Sequence, residues 1–185
     1  TWTETTNLPA ARANHAGGGD ASNALFFAGR APSVTGTSVE WRGAGANIGA
    51  WATGGNYNNA RRVAGAAGTS SSAAIMFGGT PSPLKAKTES YNGTNWTNVN
   101  DLHTGRRDIA GNGSQTAAIA FGGDVPPYTT ATETWNGTNW STSPGSLTTA
   151  RAYMASAISG TSTAALGFGG YTTPPATNHA NAEFW

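Results

Sequence analysis

Short apolar runs alternate with polar, glycine-rich segments along the whole chain. In four of these runs two bulky apolar residues stand two positions apart, which places both on one face of a β-strand: Leu25 and Phe27, Ile75 and Phe77, Ile119 and Phe121, and Leu166 and Phe168. No window shows the spacing of an amphipathic helix, because Gly and β-branched residues interrupt every candidate. The pattern therefore predicts an all-β chain built from short strands.

The apolar runs belong to a unit that recurs four times. An arginine opens each copy, at Arg12, Arg61, Arg106 and Arg151, with intervals of 49, 45 and 45 residues. Later in each copy a strand ends in Phe followed by two small residues, at 27–29, 77–79, 121–123 and 168–170. An aromatic residue follows at Trp41, Tyr91, Trp135 and Trp185, and a tryptophan opens the next segment at Trp2, Trp51, Trp96 and Trp140. A fixed period of this length indicates one supersecondary unit per copy.

Each unit is predicted to form four antiparallel strands. Small residues such as 63–66 form the first strand, the apolar run forms the second, and the third ends at the aromatic residue. The tryptophan begins the fourth strand, after an Asn-Gly-Thr-Asn turn in two copies, at 92–95 and 136–139. Asn-Gly is typical of tight hairpins because both residues tolerate positive φ. Four-stranded units repeated at this interval are typical of a β-propeller.

The order of these landmarks resembles the kelch repeat. Arg, Phe-Gly-Gly, Glu-x-aromatic and then Trp recur in register over essentially the whole chain, and the Asn-Gly-Thr-Asn-Trp variant is similar to divergent kelch-like arrays of bacterial and phage proteins. The first copy departs from this pattern, since it reads Phe27-Ala28-Gly29 and places Glu40 directly before Trp41. The resemblance implies a propeller of four-stranded antiparallel blades.

The two ends of the chain are complementary parts of one unit. The chain starts in a fourth strand and ends in a third strand, so residues 1–8 are predicted to pair beside residues 180–185 and to close the ring. We predict a single domain, 1–185, whose four blades span about 9–56, 57–100, 101–145, and 146–185 together with 1–8. The alternative is a larger ring completed by more chain or by a second copy, because kelch propellers usually have six or seven blades.

Composition excludes several classes of function. Ten Lys and Arg against nine Asp and Glu give a formal charge of +1, which offers no electrostatic footprint for nucleic acid or an anionic membrane. No apolar stretch approaches the ~20 residues of a membrane span. The absence of cysteine excludes disulfides, thiolate metal sites and the Cys-Tyr copper chemistry of some kelch-related oxidases.

No catalytic or metal-binding pattern is present. His15, His103 and His179 fall in different parts of the repeat, without the convergent ligands that a metal needs. No nucleophile elbow or phosphate-binding loop occurs. We therefore expect a protein that is not an enzyme and that uses no metal or other cofactor.

The landmark residues themselves are predicted to be structural. The repeated arginines match Glu40, Glu89, Glu133 and Glu183 in number, which favours one buried Arg–carboxylate or Arg–carbonyl bond per copy over a ring of guanidinium groups that binds an anion. The repeated tryptophans, Trp2, Trp51, Trp96 and Trp140, are expected to pack between blades.

Candidate ligand contacts lie where the copies differ. The loops after Phe-Gly-Gly are unlike one another, and function concentrates in loops on rigid scaffolds. The candidate ligand-binding residues are Arg30, Asp124, Tyr128 and Tyr171, with Arg62 and Arg107 nearby. The alternative is that these loops are solvated and bind nothing.

The predicted function is that of a binding module. Few lysines and Thr/Asn-rich strands suit an extracellular protein or one on a virion, fibre or cell surface, where it would recognise a glycan or a protein through these loops. A purely structural role, decorating a fibre or capsid, is the alternative.

Overall fold

The computed structural model describes residues 13, 16–19, 23–27, 38–43, 49–157 and 160–185. Within these residues the chain forms seventeen β-strands and one 3-10 turn, Leu84–Ala86, so the predicted all-β class is confirmed. All strand pairs are antiparallel. The short 3-10 turn follows a proline-rich loop that the sequence pattern left unassigned.

Three sheets of four strands follow one another along the chain, each with its strands in sequence order. The first contains β1 (Ala16–Gly19), β2 (Asn23–Phe27), β3 (Ser38–Gly43) and β4 (Gly49–Thr53). The second contains β5 (Gly65–Ser70), β6 (Ala73–Phe77), β7 (Thr88–Tyr91) and β8 (Trp96–Val99). The third contains β9 (Ala110–Gly113), β10 (Ala118–Phe121), β11 (Thr132–Trp135) and β12 (Trp140–Thr142).

The last copy has three described strands and an extra hairpin. Its sheet consists of β13 (Ala155–Ser156), β14 (Leu166–Phe168) and β17 (Ala182–Phe184). Between them β15 (Tyr171–Thr172) pairs with β16 (Thr177–Asn178), where the sequence predicts only a loop. The predicted fourth strand, residues 1–8, lies outside the described residues, and so does its pairing with 180–185.

The sequence repeat is also a repeat of backbone pairing. In every copy the phenylalanine that ends the second strand lies opposite the small residue four positions after the repeated arginine: Phe27 and Ala16, Phe77 and Gly65, Phe121 and Ala110, and Phe168 and Ala155. One register therefore serves all four copies, including the first copy with its altered Phe-Ala-Gly sequence.

The second strands of the second and third copies lie in the core between neighbouring sheets, whereas Leu166 and Phe168 in the second strand of the fourth copy are exposed. On one face of β6, Ile75 and Phe77 pack against residues of the third sheet, among them Trp140. The Phe77 and Trp140 rings are 4.9 Å apart between centroids and nearly perpendicular, at 71°. On the other face Met76 packs with Leu25 of the first sheet. Alternating apolar residues thus join three consecutive sheets into one core.

The first strands of consecutive sheets lie side by side, with β1 next to β5, β5 next to β9, and β9 next to β13. Together they surround a cavity of about 220 Å³, the central cavity, to which every copy contributes; its lining includes Gly17, Ala66, Gly111 and Ser156. Small residues are required because the sheets approach closely here. A Cβ on Gly111 would lie 2.3 Å from Cζ of Phe77.

The first strands begin two residues later than the sequence predicts. Val63, included in the predicted strand 63–66, has a φ of 54° and therefore cannot extend β5, which starts at Gly65. Asp108 and Tyr153, the equivalent residues of the next two copies, have φ values of 53° and 58°. A left-handed residue therefore precedes the first strand in each of these three copies.

Candidate functional site

The repeated arginines form buried ion pairs with the repeated glutamates. Nη2 of Arg61 lies 3.0 Å from Oε1 of Glu89, and the same atoms of Arg106 and Glu133 are 2.8 Å apart. In the last copy the pair is Arg151 with Glu183. The three arginine side chains are inaccessible to solvent, so they do not form a surface for an anion. Arg12, the arginine of the first copy, lies outside the described residues.

Further hydrogen bonds complete each pair, as the third copy shows. Nη1 of Arg106 donates to the carbonyls of Gly122 at 3.0 Å and Ala131 at 2.7 Å, while the Glu133 carboxylate accepts the backbone N–H of His103 at 2.8 Å. Burial lowers the pKa of Arg106, and the Glu133 carboxylate acts in the opposite direction. The pair thus ties the loop before the arginine to the third strand of the same sheet.

The repeated tryptophans that the structure describes are buried between sheets. Trp140 packs on Phe77, and its Nε1 donates to Oγ1 of Thr88 in the preceding sheet at 3.1 Å. Trp96 is buried in a cluster with Tyr57 and with Leu25 of the first sheet. The Trp51 backbone lies in β4, but its side chain is outside the described part, as is all of Trp2.

Four of the candidate ligand residues lie close together. Oδ2 of Asp124 accepts a hydrogen bond from Nε of Arg107 at 2.7 Å and lies 2.5 Å from Nη2 of the same guanidinium group in an ion pair. Tyr128 forms a β-bridge with Asp124, and its ring centroid is 6.3 Å from that of Tyr171. The loops of the third and fourth copies therefore form one polar and aromatic surface. Arg30 lies outside the described residues.

A pocket of about 400 Å³ lies next to this cluster and is called the mouth pocket here. Its lining consists of Arg62, Val63, Ala64, Thr80, Arg107, Asp108, Ile109, Tyr153 and Met154. Three of these residues, Ala64, Ile109 and Met154, also line the central cavity. The mouth pocket is therefore the entrance to the space between the first strands, and it contains the predicted ligand residues Arg62 and Arg107.

Two residues of the mouth pocket were missed by sequence reasoning. Asp108 is buried, with its Oδ2 3.6 Å from Nε of Arg107, and the exposed Tyr153 lines the same pocket. Burial raises the pKa of Asp108, and the positive charge of Arg107 opposes that rise. The available signal was that the second residue after the repeated arginine differs in each copy: Asn14, Val63, Asp108 and Tyr153.

Backbone hydrogen bonds join the left-handed residues of successive copies. The Asp108 N–H donates to the Val63 carbonyl at 2.9 Å, and the Tyr153 N–H donates to the Asp108 carbonyl at 3.1 Å. Left-handed φ at non-glycine residues costs free energy and occurs where the surroundings enforce it, often at binding sites. The backbone around the mouth pocket is therefore fixed, while the side chains that it presents differ.

The described residues offer neither a metal centre nor a helix that could cross a membrane. They contain no group of three His, Asp or Glu side chains arranged to hold a metal ion. None of their helices has the length and hydropathy needed to cross a membrane.

No protein family matches the chain, and no characterised protein is significantly similar to it.

Proposed function

We propose that the chain is a kelch-like β-propeller of four blades, in which residues 1–8 complete the last blade. The common register of the four copies, the adjacency of their first strands and the central cavity lined by all four support this arrangement. In such a ring the first strands surround the axis, and the mouth pocket lies at one end of it.

The function we propose is recognition, without catalysis, of a glycan or a protein on the outside of a virion, fibre or cell. The observation that carries this proposal is the grouping of Arg107, Asp124, Tyr128 and Tyr171 beside the mouth pocket. These residues come from two copies, whereas the three repeated arginines that the structure describes, Arg61, Arg106 and Arg151, are buried in the sheets. Unlike side chains on a common scaffold are typical of a binding face.

A structural role is the second candidate, and exposed apolar residues in the last copy favour it. The Phe184 side chain is 90% exposed, whereas Ser90 and Thr134 occupy the equivalent position in the two preceding sheets. Leu166 and Phe168 of the neighbouring strand are also exposed. Such a patch suits packing against another subunit or against a larger particle.

A glycan array separates the two candidates. Recognition predicts a saturable signal for the labelled chain that Tyr171→Ala abolishes and that Thr97→Ala, a change on the exposed side of β8, leaves intact. Silence on every glycan, together with a native mass above that of the monomer that Phe184→Ser reduces to the monomer, supports the structural role and contradicts recognition of glycans.

A further inference from the structure

The mouth pocket combines a fixed backbone with three dissimilar side chains. Val63, Asp108 and Tyr153 occupy the same position in successive copies, in the same left-handed conformation, and are joined by hydrogen bonds. If this position only shaped the backbone, glycine or asparagine would serve every copy best, since both tolerate positive φ. An apolar, an acidic and an aromatic side chain instead converge on one pocket.

The charges around the mouth pocket balance. Two arginines, Arg62 and Arg107, face two carboxylates, Asp108 and Asp124. Arg107 is already engaged by both carboxylates, with its Nη2 2.5 Å from Oδ2 of Asp124. Neither an anion nor a cation therefore meets an excess of opposite charge. Hydrogen-bond donors and acceptors lie close together instead, an arrangement that suits a neutral ligand carrying several hydroxyl groups.

Aromatic rings border the same space. Tyr153 lines the pocket while remaining 59% exposed, so most of its surface is available to a ligand. Tyr128 and Tyr171 lie beyond Asp124, with their ring centroids 6.3 Å apart. The faces of aromatic rings pack well against the C–H faces of pyranose rings, and a pocket of about 400 Å³ is in the range of small-ligand sites.

We propose that the mouth pocket binds a neutral saccharide residue, with Tyr153 stacking on the sugar ring, Asp108 accepting hydrogen bonds from its hydroxyls and Arg62 donating to its oxygens. This inference rests on the proposed recognition function and narrows its ligand to an uncharged sugar. It also shifts the main contacts from the loop tips, where the sequence predicted them, to the residues that precede the first strands.

Isothermal titration with single sugars tests this proposal. The probes are galactose, glucose, mannose, fucose and N-acetylglucosamine as neutral sugars, and N-acetylneuraminic acid and glucuronic acid as charged ones. We expect saturable binding of at least one neutral sugar and weaker or undetectable binding of the acids. Asp108→Asn and Tyr153→Ala should each weaken the neutral sugar at least tenfold, and Thr97→Ala should leave its affinity within twofold of the original.

Two further measurements guard against a folding artefact. The thermal unfolding temperature of each variant shows whether the chain remains folded. Tyr153→Phe keeps the ring and removes only its hydroxyl, so it should retain more affinity than Tyr153→Ala. In the original chain, the backbone amide signal of Tyr153 should shift on addition of the bound neutral sugar, independently of any substitution.

The outcomes distinguish this inference from the proposed function. Binding of acidic sugars alone, or neutral-sugar binding that survives both Asp108→Asn and Tyr153→Ala, overturns the inference and leaves recognition intact. Absence of binding to every sugar, here and on the glycan array, overturns the inference and recognition of glycans together.

Discussion

Arg106 and Arg107 are neighbours in the sequence, yet they belong to two very different regions of the molecule. The Arg106 side chain is inaccessible to solvent and is paired with Glu133 inside its sheet, whereas that of Arg107 is 40% exposed at the mouth pocket. The Arg106–Glu133 pair recurs in the second and fourth copies. The Arg107–Asp124 pair has no equivalent in the fourth copy, where Ala152 replaces the arginine. The buried Arg–Glu pairs, called the Arg–Glu frame here, are thus adjacent along the chain to the surface residues that differ between copies.

In the second, third and fourth copies, one set of residues stabilises the sheet and a neighbouring residue gives each copy its own surface. The Arg–Glu frame fixes the loop before each first strand, and the same loop then presents a different residue in each copy. Stability should therefore depend on the frame and specificity on the mouth pocket. Substitutions in the two regions ought to have separable effects, and the following predictions run from the largest expected effect to the smallest.

Removing Arg106 should have the largest effect. Arg106→Met leaves the Glu133 carboxylate buried without its cation, which costs about 3–5 kcal/mol of unfolding free energy in comparable cases. In a chain of this size the unfolding temperature should fall by about 10 °C. Lys87→Met is the matched control, because the Lys87 and Asp101 side chains are 44% and 35% exposed and such a pair contributes only about 0–1 kcal/mol. Urea unfolding measures both variants, and equal losses would contradict the division between frame and surface.

Crowding the first strands should have a smaller effect. In Gly111→Ala the new methyl group meets Phe77 at 2.3 Å and the Ala66 carbonyl oxygen at 2.9 Å, so we expect a loss of about 1–3 kcal/mol. In the background of Phe77→Leu, which removes the ring from this contact, the same substitution should cost less. A double-mutant cycle measures that difference. Additive losses would show that the second and third sheets are not packed as described.

Relieving the left-handed strain at Val63 should stabilise the chain. Val63→Asn places a residue that tolerates a φ of 54° at this position of the second copy. The first copy already has asparagine, Asn14, at the equivalent position in the sequence. The expected gain is about 0.5–1 kcal/mol. Thr97→Asn, on the extended strand β8, should give no gain. A loss of stability in Val63→Asn, measured by urea unfolding, would show that packing of the valine outweighs the backbone strain.

The dependence of stability on pH should distinguish Asp108 from Asn at the same position. Burial raises the pKa of Asp108 in the folded chain, so the folded state holds its proton more tightly than the unfolded state does. The stabilising contribution of Asp108 to the free energy of unfolding is fully present below the unfolded pKa of about 3.9. It declines as pH rises through the pKa of the folded state. Asp108→Asn should remove this decline, so that its stability relative to the original chain increases between pH 3 and pH 7. A relative decrease over that range contradicts the prediction.

The stability contribution of Glu183 should change with pH in the opposite direction to that of Asp108. Burial alone would raise its pKa, but the hydrogen bond from the Thr148 N–H and the pairing with Arg151 lower it overall. Its contribution is therefore present above the unfolded pKa and is lost as pH falls through the lowered folded value. Glu183→Gln should be less stable than the original chain at pH 7, and the difference should shrink in acid, as thermal unfolding at both pH values can show.

Much of the fold was predictable because it is periodic. The strand β6, Ala73–Phe77, contains the Ile75 and Phe77 pair from which the sequence predicts it, and the equal number of repeated arginines and repeated glutamates indicated a bond between them. The start of β5 was mispredicted because nothing in the composition of 63–66 reveals the positive φ of Val63. Asp108 and Tyr153 were missed for the same reason, since their convergence depends on how neighbouring copies pack. Periodicity thus predicts what the copies share and gives little information about where their differences meet.

The central claim is that four copies complete a ring, and distances between spin labels test it most directly. The chain has no cysteine, so pairs can be introduced without background at the residues that follow each repeated tryptophan: Thr3, Ala52, Thr97 and Ser141. In a closed four-bladed ring the Thr3–Ser141 distance should equal the Thr97–Ser141 distance, and Thr3–Thr97 should be about 1.4 times longer, as across a square. A Thr3–Ser141 distance longer than all the others would contradict closure and place the four copies on an open arc.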